Sequence, residues 1–116
     1  DMRIVGPGDP ITLPELKTMA AAMFGDMVKV VVDAERRIMA VDAELHADEE
    51  AALLERGSRH ADLWGINLYP DMRGEEFVEF DSMINLRPAR GNRSRGIEDR
   101  ALRERIIAVV DELVKR

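Results

Sequence analysis

Apolar residues recur along the chain in distinct rhythms, and each rhythm predicts an element. Leu13, Leu16, Ala20, Met23 and Phe24 fall three or four positions apart, the spacing of one face of a helix. The start of that helix is marked by "TLPE": Thr12 caps a free amide, Glu15 reaches back, and Pro14 sits where no donor is missed. Gly25 supplies the stop. From Val28 the rhythm changes. Four valines in "VKVVVD" are β-branched, lose side-chain freedom in a helix and pack well on a pleated surface, which predicts a strand at 28–33. "AERR" then reads as a turn and "IMAVD" as a returning strand, although no glycine marks the turn and a helical reading of the stretch also survives. Upstream, "RIV" at 3–5 predicts a short first strand that "GPGDP" breaks.

Farther along, Asp48 is predicted to cap a second helix, "EEAALLER", that ends at Gly57, with Glu49 and Glu50 at the positive end of its dipole. "LWGINLY" and "EFVEFDSMINL", separated by "PDMRGE", predict an antiparallel hairpin. Alternation along its second strand sets Val78, Phe80, Ser82, Ile84 and Leu86 on one face. The other face holds Phe77, Glu79, Asp81, Met83, Asn85 and Arg87, where Phe77 and Met83 need cover from a helix or another subunit. Pro88 ends the strand, "ARGNRSRGIE" forms a loop, and Asp99 caps a terminal helix with the stripe Leu102, Ile106, Val109, Val110 and Leu113. Strands joined by short turns predict an α+β fold: a mainly antiparallel sheet of four to five strands packed against about three helices on one face, in a single domain spanning 1–116.

Composition narrows the chemistry. With 46% hydrophobic and 34% charged residues, the 116-residue chain has the balance of a globular protein, and no cofactor is needed to explain its stability. It contains no cysteine, which excludes disulfides, thiolate metal sites and a cysteine nucleophile. No apolar run approaches the length of a membrane span and no leader pattern opens the chain, so the expected location is the cytoplasm. A net charge of -6 disfavours non-specific binding to nucleic acid. Arginine outnumbers lysine 14 to 3, which favours paired, bidentate contacts over diffuse surface charge.

The strings "ITLPELKTMAAAMFGDMVKVVVD", "MAVDAELHADEEAALLERGS", "LWGINLYP" and "EFDSMINLRPARGNRSRGIED" together resemble a small, free-standing prokaryotic family of unknown function. The resemblance covers nearly the whole chain and is most specific from Asp81 to Asp99. It implies neither an activity nor a cofactor.

Candidate chemistry lies in three places. Arg87, Arg90, Arg93 and Arg95 fall within nine residues, interleaved with Gly91, Asn92, Ser94 and Gly96 and followed by a helix start. Glycines admit a ligand to backbone amides, and guanidinium forks match phosphate or carboxylate oxygens. The same arginines are also explained by pairing with Glu79, Asp81 or a partner subunit, the weightier reading. A second cluster, "ELHADEE", gathers Glu44, His46, Asp48, Glu49 and Glu50, residue types that bind divalent metals; helix capping explains its acids, and no HExxH spacing occurs. Third, on an extended strand Glu79 with Asp81, and Asn85 with Arg87, would lie roughly 6.6 to 6.8 Å apart, while Asp81 and Asn85 would be about 13 Å apart.

The expectation is a small cytoplasmic binding or regulatory protein, a homodimer, that recognises a small anionic ligand through Asn85, Arg87, Asn92, Arg93, Ser94 and Arg95. The alternative is a metal-dependent hydrolase acting on a phosphorylated or nucleotide-like substrate, with His46, Asp48, Glu79 and Asp81 at the metal and the arginines at the phosphate. A third reading, a purely structural or interaction protein, requires only an apolar dimer patch.

Overall fold

The computed structural model describes residues 1–116. In chain order the elements are β1 (Arg3–Val5), β2 (Ile11–Thr12), α1 (Leu13–Ala22), β3 (Val28–Asp33), β4 (Ile38–Val41), α2 (His46–Glu55), β5 (Leu63–Leu68), β6 (Val78–Glu79), α3 (Arg100–Leu113) and β7 (Val114–Lys115). Five strands form an antiparallel sheet in the order β1-β4-β3-β5-β6. The fold is α+β, as the rhythms predicted. The short parallel pair β2–β7, with Ile11 opposite Val114, ties the start of α1 to the end of α3.

The first helix begins as expected. Thr12 accepts from the Glu15 amide at 3.2 Å, and the Glu15 carboxylate accepts from the Thr12 amide at 2.9 Å. Its buried stripe is shorter than the spacing suggested. Leu16 and Ala20 enter the core, but α1 ends at Ala22, Gly25 takes φ +97, and its amide closes on the Ala20 carbonyl at 2.7 Å. Met23 and Phe24 fall beyond the last turn and stay 43% and 38% exposed.

Helices cover both faces of the sheet, not one. Val28, Val30, Val32, Val41, Ile66 and Leu68 face α1 and α3, whose Leu16, Ala20, Ile106, Val109, Val110 and Leu113 complete the main core. Val31, Ala40 and Leu63 face the opposite way, against Leu53 of α2. The uninterrupted "VVV" of β3 carried this information: a strand buried on both faces loses the apolar-polar alternation.

Two other expectations fail for physical reasons. Asp48 is not the cap of α2. The helix starts at His46, with Leu45 at the cap position and no side-chain cap bond. The chain turns early because His46 Nε2 bonds the Ile66 carbonyl at 2.8 Å and the buried Glu49 accepts the Ala43 amide at 3.0 Å. The predicted strand at 76–86 keeps only Val78 and Glu79. Beyond Glu79 the chain folds into single 3₁₀ turns at Met83–Asn85 and Pro88–Arg90. Its predicted faces dissolve with it: Phe77, Ser82 and Asn85 are buried, whereas Met83 and Leu86 are exposed. Gly65 permits this. A Cβ there would sit 2.5 Å from Ser82 Cβ and 3.2 Å from Ile84 Cγ1, so the missing side chain of β5 is the space into which the segment folds.

Candidate functional site

The arginine-rich loop is stitched to the edge of β5. Residues 67 and 69 of β5 and its extension bond the backbone of β6 and Phe77. At residues 65 and 63, where β6 has ended, side chains take over. Asn85 Oδ1 accepts the Gly65 amide at 2.8 Å and its Nδ2 donates to the Gly65 carbonyl at 2.9 Å, so one side-chain amide stands in for a peptide unit of the missing strand. Arg87 Nη2 donates to the Leu63 carbonyl at 2.5 Å and Nε to the Ile84 carbonyl at 3.2 Å. The guanidinium lies 4.4 Å from the Trp64 ring centroid and 3.7 Å from Glu50 Oε2, and burial lowers its pKa. Its Nη1 has no hydrogen-bond partner.

The rest of the loop is held in the same manner. Asn92 Nδ2 donates to the carbonyls of Asn85, Ser94 and Gly96, and its Oδ1 accepts the Glu98 amide. Arg95 pairs with Asp81 at 2.7 Å. The Arg93 amide donates to Glu98 Oε2 at 2.5 Å. The side-chain amides of Asn85 and Asn92 are thus spent inside the protein, and only the guanidiniums of Arg90 and Arg93 project without a partner. Asp99 caps α3 through the amides of Ala101 and Leu102, which places a carboxylate where an anion would have to sit.

At the start of α2, His46 and Asp81 fall within electrostatic reach of each other, and the side chain of Asn67 lies beside them. Glu79 accepts from Asn67 Nδ2 and from Tyr69 Oη, each at 2.9 Å. Asp48 is exposed on the outer side of the helix. No three His, Asp or Glu side chains are arranged to hold a metal ion, which removes the geometric support for the hydrolase reading. Burial lowers the pKa of His46 and pushes that of Glu49 up to about 9. Two buried groups held in their uncharged forms serve as anchors for α2.

The largest concavity lies elsewhere, a groove of about 520 Å³ between the β6 segment and α3, within the size range of ligand sites. One wall is Gly74, Glu75, Phe77, Val78 and Phe80; the other is Arg103, Ile107, Asp111 and Arg116. Arg103, Ile107 and Asp111 follow at four-residue spacing, so one stripe of α3 faces the groove. Phe77 forms the floor, with the Arg116 guanidinium 4.6 Å from its ring centroid. None of Glu75, Asp111, Arg103 and Arg116 takes part in any of the molecule's ion pairs.

A family model described as a protein of unknown function (DUF5674) matches residues 5–113. The chain belongs to that family. No curated protein and no solved structure matches it. No helix of this DUF5674 chain is long and apolar enough to cross a membrane.

Sequence reasoning missed the groove. Two signals were available: Phe77, whose alternation called for cover from a helix or another subunit, and Ile107, an apolar residue outside the buried stripe of α3 and flanked four residues away on each side by Arg103 and Asp111. Nothing in the sequence brought Phe77, Phe80 and Glu75 against it.

Proposed function

We propose that the protein is a binding module whose ligand lies in the groove between β6 and α3, and that the ligand combines an apolar body with an anionic group. The observation that carries this reading is the set of unpaired charges around an apolar floor: Arg103 and Arg116 border Phe77, Phe80 and Ile107, and the protein supplies neither cation with a carboxylate partner. Arg103 Nη1 donates to the carbonyls of Ile97 and Glu98, which holds the side chain without neutralising it. A guanidinium forms charge-assisted, bidentate bonds to carboxylate or sulfonate oxygens. The anionic ligand expected from the sequence is retained, and its site moves from the 87–96 loop to the opposite end of the same segment.

The test uses 8-anilinonaphthalene-1-sulfonate, an amphipathic anion, as a fluorescent probe. Saturable binding to the folded protein is expected, weakened tenfold or more by Ile107→Glu and by Arg116→Glu, and unchanged by Met83→Ser at an exposed site elsewhere. Absence of saturable binding, or binding indifferent to both groove variants, overturns the reading.

A further inference from the structure

We infer that the occupant of this groove is an extended peptide segment, which adds as a strand to the free edge of β6. The inference rests on the groove being the ligand site and specifies what enters it.

The Tyr69 amide donates to the Phe77 carbonyl at 2.9 Å, and Asn67 stands opposite Glu79 with Leu68 opposite Val78. Hydrogen-bonded and non-bonded pairs alternate along an antiparallel ladder. The Phe77 carbonyl and the backbone groups of Glu79 therefore face β5, the Phe77 amide being taken by the Gly74 carbonyl at 3.2 Å, and the N–H and C=O of Val78 point away from β5. No strand lies beyond β6, since the sheet order ends there. Val78 takes part in none of the turn, loop and cap hydrogen bonds and in none made by a side chain, and its place in the ladder leaves its own N–H and C=O facing outward.

The surroundings of that edge fit a strand. At one end it is already closed: the Ser82 amide donates to the Arg95 carbonyl at 2.9 Å, and Gly96 packs against the Phe80 carbonyl. At the other end it is open past Glu75 and Gly74. Val78 and Glu75 also border a shallower hollow of about 350 Å³ with Tyr69, Met72 and Glu79. A strand crossing Val78 would set alternate side chains into the two concavities, as the two-residue period of a strand demands. Apolar side chains would meet Phe80 and Ile107 on one side.

Charge selects the same occupant. Arg103 and Arg116 offer sites for a carboxylate, and Glu75 and Asp111 offer sites for an ammonium group along the same groove. A peptide carries both signs and supplies the backbone donor and acceptor that Val78 lacks. A short edge can also serve merely to discourage aggregation, but that role requires no helix standing off from it across an apolar floor.

The test uses the 116-residue chain and a pooled library of nine-residue peptides with alternating apolar and polar positions, one lysine and a free C-terminal carboxylate. Selected peptides are expected to slow exchange of the Val78 amide at least tenfold. Methylating the backbone nitrogens of the peptide at alternate positions is expected to weaken binding at least tenfold. No binding from the pool, unchanged Val78 exchange in the bound state, or equal affinity of both N-methylated registers overturns strand addition. If the anionic probe still binds in a manner sensitive to Ile107→Glu, strand addition alone has failed. If the probe is insensitive too, the groove reading has failed with it.

Discussion

Replacing Asn85 with Ala separates a clamp from a ligand-binding residue. In the native structure the fully buried Asn85 satisfies the amide and carbonyl of Gly65 and the carbonyl of Arg95, at 2.8, 2.9 and 2.9 Å. Truncation leaves these backbone groups facing a void too confined for easy hydration. A buried polar group deprived of its partner costs about 1–3 kcal/mol. The two Gly65 groups alone then give a loss on the order of 3 kcal/mol, a large fraction of the roughly 5–15 kcal/mol that stabilises a typical domain. With a urea slope of about 1.5 kcal/mol/M, the midpoint should fall by about 2 M. Chemical denaturation at neutral pH, followed by Trp64 fluorescence, measures this directly. Met83→Ala is the control, because Met83 is 62% exposed two residues away and its truncation should change stability by no more than about 0.5 kcal/mol. A midpoint for Asn85→Ala indistinguishable from that of Met83→Ala would refute the reasoning. The loop would then not be holding the edge of β5, and Asn85 would be available for the ligand role that its sequence context suggested.

Two further outcomes follow from the same packing. Gly65→Ala should cost about 1–3 kcal/mol through overpacking, because its Cβ would meet Ser82 Cβ at 2.5 Å. Adding Ser82→Gly should recover part of that loss, so melting temperatures that are simply additive across the double-mutant cycle would contradict the close approach. Burial pushes the pKa of Glu49 from 4.5 up to about 9, so across that window the folded chain keeps a proton that the unfolded chain has released. Stability contributed at this site therefore falls as pH rises from 4.5 toward 9. Glu49→Gln cannot ionise, and its urea midpoint relative to the native chain should climb steadily between pH 5 and pH 9. A difference independent of pH would show that Glu49 is ionised in the folded protein.

The sequence by itself determined the elements whose signals are local. Thr12, Pro14 and Glu15 specified the start of α1, Asp99 the start of α3, and Gly57 with its φ of +92 the end of α2. The valine run specified β3. These succeed because a capping bond or a β-branched backbone preference involves residues within a turn of one another. The stretch after Glu79 failed because its alternation was compatible with a strand, and only the absence of a side chain at Gly65, across the sheet, decided that Ser82 and Ile84 would pack down on β5 instead. Asn85, Arg87 and Asn92 read as ligand-binding residues on composition, and tertiary contact turned their polar groups inward onto β5 and onto the loop itself. The groove was the least legible feature. Its two walls are separated by more than twenty residues in sequence, and their approach depends on how α3 packs over the sheet, a long-range outcome of core burial that no local pattern encodes.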